Sequence, residues 1–351
     1  MILLYRFVIC TFLFSFITGC AQKKDASKEK IINKESISKI NGVSLVAAPD
    51  SLLQKNIAPL KEIHANYATV MPFGFIKSLE HPEIIYDQNR QWFGETQEGT
   101  KQYIQLLHKN EIKVMMKPQI WVWKGEFTGL VKMASEADWL QLEKSYKNFI
   151  LEFAKVAEEE KIAIFCIGTE LEKFILHRPE YWRDLIAEVK KVYTGKLTYA
   201  ANWDEYKRVP FWDALDYIGV DAYFPVSENH TPTVEETKAG WEQWKTELKT
   251  ISEKENKKII FAEYGYRNVD FSGKEPWKSD REMISKNVNA QANLLEGLYQ
   301  SLWNEDWFAG GFLWKWFIWH EKVGGAEDNQ FTPQNKPAQK IVEVYYSTHK
   351  D

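Results

Sequence analysis

From residue 40 onward, short apolar, β-rich runs alternate with segments whose apolar residues recur three and four apart. Eight runs stand out, at 43–47, 67–71, 113–116, 163–167, 197–201, 217–220, 258–262 and 311–316. Between them, Trp139, Leu142, Tyr146, Phe149, Ile150, Phe153 and Val156 share one helical face. Further helices are predicted over 181–192, opened by Pro179 near its first turn, and over 283–302. Such alternation predicts a parallel sheet covered by helices. Eight βα units fit a single-domain α/β fold, the (β/α)8 TIM barrel, whose bare form needs ~250 residues. A doubly wound open sheet is the alternative, but its Gly-rich first turn is replaced by Ala47-Ala48-Pro49-Asp50. The fifth and sixth runs leave room only for a short helix around 210–214, and neither an internal repeat nor a second domain is visible.

Ahead of residue 40 the pattern changes. Arg6 precedes an apolar stretch from Phe7 to Ile17 that is too short to span a membrane, as in an export signal. Ile17-Thr18-Gly19-Cys20 resembles the bacterial lipobox, which implies a lipidated Cys20 as the mature first residue. An uncleaved anchor and ordinary signal cleavage are the other readings. Residues 20–39 are rich in Lys, Ser and Glu and read as a flexible tether, so the expected plan is signal 1–19, tether 20–39 and barrel 40–351. The expected location is the bacterial cell envelope, lipid-anchored at the outer membrane or the periplasmic face.

Hydrophobic residues at 44% and charged residues at 27% are those of a folded domain, neither disordered nor polytopic. A net charge of −4 without a basic stripe argues against a nucleic-acid partner. Cys10 and Cys20 lie in the first twenty residues, and Cys166 stands alone in an apolar run, where a small core residue is the expectation. His64, His108, His177 and His320 lack metal-ligand spacing, so no metal and no cofactor are expected; the protein is expected to be a monomer.

In a barrel the chemistry sits at the carboxyl ends of the strands. Two runs end in glutamate: the fourth leads into Gly168-Thr169-Glu170, and the seventh into Glu263-Tyr264-Gly265. A carboxylate directly after an apolar strand is costly to bury unless it is paired or used. Two of them, three βα units apart, face each other across a barrel mouth, as glycosidic cleavage requires of its acid and its nucleophile or base. The competing reading is plain ion pairing, Glu263 with Arg267 and Glu170 with Lys173. Aromatic residues cluster at other strand ends: Trp121 and Trp123 after the third, Trp203 after the fifth, Tyr223 after the sixth, and Trp314, Trp316 and Trp319 through and past the eighth. Indole offers a wide, rigid platform to the apolar face of a sugar ring. Lys117 and Gln119 after the third run are candidates to bond sugar hydroxyls or to anchor the loop; Asp221 reads equally as a pairing residue or a ligand, and Glu172 as a loop or helix start.

These segments carry a resemblance. The chain looks like the glycoside hydrolases of clan A and is similar to family 113, whose characterised members are largely β-mannanases. The matching stretches include Ile167-Gly168-Thr169-Glu170, Asn202-Trp203, Asp221-Ala222-Tyr223, Phe261-Ala262-Glu263-Tyr264-Gly265 and Gly310-Gly311-Phe312-Leu313-Trp314. The resemblance implies that Glu170 is the acid/base, that Glu263 is the nucleophile, and that Tyr223 lies near Glu263. Clan A enzymes commonly carry Asn before the acid/base; here Thr169 stands there, with Asn202 as the substitute for contacting the sugar 2-hydroxyl. The expected activity is retaining hydrolysis of a β-1,4-linked polysaccharide or oligosaccharide, foremost β-mannan. Two other readings stay open: a non-catalytic glycan-binding lipoprotein on the same scaffold, and a clan A hydrolase of xylan or glucan.

The lipobox reading is testable by itself. Cys20→Ser is expected to release the protein from membranes with its activity unchanged, since stable anchoring needs more than one acyl chain. Persistence of the variant in salt-washed membrane fractions refutes the reading.

Overall fold

The computed structural model describes residues 38–279 and 281–349; the expected signal, Cys20 and most of the tether lie outside the described residues. Its strands are β1 (Ile40–Leu45), β2 (Tyr67–Val70), β3 (Phe73–Ile76), β4 (Ile85–Tyr86), β5 (Lys113–Met116), β6 (Gln119–Val122), β7 (Ile164–Thr169), β8 (Lys196–Asn202), β9 (Ile218–Asp221), β10 (Ile259–Tyr264) and β11 (Phe308–Trp316). Among the described residues, eight of these close a barrel in the order β1-β2-β5-β7-β8-β9-β10-β11, with every neighbouring pair parallel. This is the TIM barrel that the alternation predicts, and each predicted run is a barrel strand.

Parity along the strands builds two cores. Ile164 and Cys166 on β7, and Ile260 and Ala262 on β10, join Ile40, Met115, Ala200 and Phe312 from other strands in a cluster that fills the barrel interior. Their neighbours Phe165, Ile167, Ile259 and Phe261 face outward, against the apolar sides of the helices. Helix Glu136–Glu159 supplies Trp139, Leu142, Tyr146, Phe149, Ile150, Phe153 and Val156 to that outer layer, the face its spacing predicts. Cys166 is fully buried, and burial pushes its thiol up to about 12, the reverse of an activated nucleophile.

The departures have local causes. β3, β4 and β6 form a small separate sheet in the order β4-β3-β6 that the hydrophobic pattern did not predict. Met71-Pro72 separates β2 from β3, and Lys117-Pro118 separates β5 from β6. Proline has no N–H to donate, so each barrel ladder stops there and the chain resumes as a strand of the rim sheet. The helix predicted over 283–302 starts only at Val288, because the Asn287 side chain caps it by accepting from the Ala290 N–H at 3.0 Å. The short helix near 210–214 is a pair of 3₁₀ turns, Tyr206–Arg208 and Trp212–Ala214. Lys39, assigned to the tether, belongs to the fold: it is buried, and its ammonium donates to the carbonyls of Glu305 at 2.6 Å and Phe308.

The barrel closes where β1 meets β11. There Gly310 adopts φ +107°, and a Cβ on it would lie 2.3 Å from the Ile40 carbonyl oxygen. The final helix, Pro337–Thr348, latches this seam through the Tyr346 hydroxyl on the Gly42 carbonyl at 2.6 Å. Gly310→Ala is therefore expected to destabilise the protein by about 3 kcal/mol, overpacking added to a left-handed backbone. Gly325→Ala, at φ +80° with nothing within 4 Å of the added Cβ, should cost only ~1 kcal/mol. Denaturant midpoints of the two variants check this; equal losses refute the clash.

Candidate active site

Bulges at the strand ends aim the two glutamates. On β10 the register against β9 slips between Phe261 and Glu263. Ala262 faces inward and Tyr264 outward, and the slip between them frees Glu263 from strict alternation so that it reaches the barrel mouth. On β7 the register against β8 slips between Cys166 and Thr169. The chain then turns at Glu170, which has a left-handed φ of +49° and donates its N–H to the Ala200 carbonyl at 2.8 Å. Backbone strain of this kind in a non-glycine residue concentrates at functional sites.

Three donors converge on the Glu263 carboxyl. The Tyr223 hydroxyl donates to Oε2 at 2.7 Å, while Gln119 Nε2 at 3.2 Å and the Lys117 ammonium donate to Oε1. Lys117 is fully buried, and its Nζ lies 5.5 Å from the centre of the Trp314 ring. Burial works against its charge, but Glu263, with Asp221 beside it, outweighs that and holds the ammonium above the ordinary lysine value. The Tyr223 hydroxyl is pushed well above the usual tyrosine range by burial and by the adjacent Glu263, so it stays a donor.

Glu170 sits in the opposite setting. Among the described residues no group donates a hydrogen bond to its carboxyl. Burial, then the negative field of Glu263 and of Glu205, push it up to about 8, so it carries its proton at neutrality. Asp221 is fully buried with both oxygens unpartnered among the described residues; burial and then Glu263 raise it well above the usual carboxylate range. One acid poised to donate and a second carboxyl held by donors are the complement for acid–base chemistry across the mouth.

The other predicted residues divide. Gln119 and Tyr223 touch Glu263, as above. Trp121 is half-exposed on β6. Asn202 accepts the Trp203 N–H at 2.6 Å, and the Trp203 ring stacks on Trp277 at 5.1 Å. Trp314 is partly open beside Lys117. Two expectations are corrected. Lys117 is no surface donor to sugar hydroxyls but the buried ion partner of Glu263. Trp316 is no platform: the β1–β11 register slips between Leu313 and Trp316, which turns the Trp316 ring outward into the barrel–helix core against His320. Against the competing reading of plain ion pairing with Arg267, the donors to Glu263 among the described residues are Lys117, Gln119 and Tyr223, while Arg267 Nε donates to the Lys278 carbonyl at 2.7 Å and its guanidinium lies over Phe331. Lys117, not Lys173, is the cation that acts on Glu170. Glu172 opens helix Glu172–His177 and pairs with Arg208.

One buried acid was missed. Glu205 accepts the Tyr199 hydroxyl at 2.7 Å and the Asn202 N–H at 3.0 Å, and Tyr199 in turn accepts the N–H of Leu171, next to Glu170. It stands in the run Asp204-Glu205-Tyr206-Lys207-Arg208, which reads as a solvated charge cluster. Among the described residues no group of three His, Cys, Asp or Glu is arranged to hold a metal ion.

The model of Glycoside Hydrolase Family 113 matches residues 50–336. The solved structure of the GH113 β-mannanase AaManA from Alicyclobacillus acidocaldarius, in complex with ManMIm, superposes with a TM-score of 0.77 at 24% identity, over 89% of this chain and 98% of that one. A GH113 β-1,4-mannanase superposes at 0.76 and 21% identity, over 89% and 99%. A β-glucuronidase from Faecalibacterium prausnitzii follows at 0.59 and 13% identity, over 88% of this chain and 49% of that one. At these identities the likeness establishes the fold. No curated protein matches the chain.

Electrostatics here predict a pH effect. Glu205, itself pushed up to about 7 by burial, is ionised where Glu170 titrates and opposes the ionisation of Glu170. Glu205→Gln removes that charge, so the Glu170 carboxyl loses its proton more readily and the alkaline limb of the pH–activity profile moves to lower pH. An unmoved limb, or one moved upward, contradicts the assignment.

Proposed function

The chain belongs to Glycoside Hydrolase Family 113 and is a glycoside hydrolase, and from that premise we propose that it hydrolyses β-1,4-mannan with retention of configuration. The carrying observation is the contrast between two strand-end glutamates: Glu170, proton-bearing with a value of about 8, and Glu263, bound by Lys117, Gln119 and Tyr223. In the proposed reaction a Glu263 oxygen attacks the anomeric carbon as Glu170 gives its proton to the departing glycosidic oxygen. A covalent glycosyl–enzyme forms, and the leaving sugar departs with a free hydroxyl. Water then attacks the same carbon, Glu170 takes the water's proton, and the Glu263–sugar bond breaks to release a product of the original β configuration. Tyr223 and Lys117 hold the nucleophile in line during both steps. Mannan is chosen as substrate because the superposable GH113 structures are β-mannanases, and the strand-end aromatics Trp121, Trp203 and Trp314 suit the apolar faces of its rings. The lipobox-like sequence ending at Cys20 supports attachment of this enzyme to the cell envelope.

Proton NMR of the first product from a manno-oligosaccharide tests the proposal: an initial β-anomer is expected, and an initial α-anomer overturns retention. Glu170→Ala should lose ~10²–10⁴-fold on mannan yet keep activity on aryl glycosides whose leaving groups need no proton. Glu263→Ala should abolish turnover, with azide restoring it as an α-glycosyl azide. Cleavage of xylan or glucan but not mannan overturns the sugar assignment, and binding without any cleavage overturns the enzymatic reading.

A further inference from the structure

Strand β6 begins at the catalytic centre and leads away from it. Gln119, its first residue, donates to Glu263. Trp121 follows at a two-residue step and shares the face of Gln119, and Trp123 comes directly after the last strand residue, its N–H donating to the Ile76 carbonyl at 3.1 Å. The opposite face, with Ile76 and Val122, is buried in the core. Across the ladder Phe73 stands beside Gln119 and Phe75 beside Trp121, so the outward face of the rim sheet is aromatic on both strands. Trp121 and Trp123 are 50% and 59% exposed, and Trp92 on the adjoining loop is 51% exposed.

This face ends in a cavity of about 580 Å³ lined by Phe75, Asn89, Arg90, Gln91, Trp92 and Trp123, a volume within the ~300–1,000 Å³ range of small-molecule sites. The loop is braced from within: Gln91 donates to the Phe73 carbonyl at 2.9 Å and accepts the Gln88 N–H at 2.9 Å. Among the described residues nothing bonds the Asn89 amide or the Arg90 guanidinium. Exposed indoles beside unengaged amide and guanidinium donors are the chemistry that grips a sugar by its apolar face and its hydroxyls together.

We propose that the cavity between Trp92 and Trp123 is a distal sugar-binding subsite, joined to the catalytic centre along Gln119 and Trp121, which holds the far end of a long, neutral β-1,4-linked chain. The inference rests on the reading of the protein as a β-mannan hydrolase. A short substrate engages Glu170 and Glu263 without reaching the cavity, whereas a long one fills it and gains affinity there.

The full chain is assayed as wild type, Trp123→Ala and Trp92→Ala on mannotriose and mannohexaose, with binding measured by calorimetry in a Glu263→Ala background. Each indole variant should raise KM for mannohexaose and weaken its binding by roughly tenfold. The constants for mannotriose should not move, and kcat should be retained on both. Equal losses on the two lengths, or none on the longer, overturn the subsite. If the wild-type protein leaves mannan uncut, the functional reading fails by itself, and calorimetry still decides: weaker mannohexaose binding by Trp123→Ala supports the subsite, and unchanged affinity overturns it, leaving the indoles to a protein partner.

Discussion

A single buried cation orders the barrel mouth. Lys117 is fully buried and bonds one of three carboxyl groups gathered around it, that of Glu263. The other two, Glu170 and Asp221, feel Lys117 more weakly than they feel burial and Glu263, and both are raised. One positive charge in a low-dielectric site supports one neighbouring negative charge; further ionisation is opposed by desolvation and repulsion together. The electrostatic contrast between two chemically identical side chains thus originates in which of them the ammonium touches. Stripping the partner from a buried ion costs about 3–5 kcal/mol, so the pair is also a structural commitment.

Geometry enforces that commitment through breaks in regular structure. Pro118 ends the β5 ladder directly after Lys117, and the chain resumes at Gln119 as β6. One interruption thereby separates a buried ammonium from an amide that reaches the same carboxylate from the rim. On β10 a register slip brings Glu263 to meet both. Had either strand kept perfect alternation, the barrel would have been as well filled and the three groups would not have converged.

Where regular periodicity governs, the sequence is easily read. The eight barrel strands, the buried, barrel-facing side of helix Glu136–Glu159 and the core position of Cys166 all follow from spacing and burial. Errors fall where a local feature overrides the period. Trp314 and Trp316 stand two apart and read as one face, but the slip on β11 sends Trp316 into the core. Lys117 reads as a donor to sugar hydroxyls or a loop anchor because its pairing with Glu263 spans distant strands, and no local pattern encodes it. Glu205 hides in a charged run that looks solvated, although Tyr199 and the Asn202 N–H enclose it. The hydrophobic pattern does not predict the rim sheet, although Pro72 and Pro118 mark the two points where barrel strands end and rim strands begin.

The same coupling that keeps Glu170 protonated lets it change roles within the proposed cycle. Its elevation to about 8 comes from burial first and from the Glu263 charge second. Once Glu263 is esterified to the sugar, that negative charge is gone while Lys117 remains, so the opposition to ionisation of Glu170 weakens, although burial and Glu205 still act against it. Having given up its proton to the leaving group, Glu170 then rests as a carboxylate, the form required to take a proton from water. When the ester breaks and Glu263 regains its charge, the repulsion returns and Glu170 holds the proton it has just received. No movement of either side chain is required: the covalent state of one glutamate shifts the balance of protonation at the other, on top of the constant effect of burial.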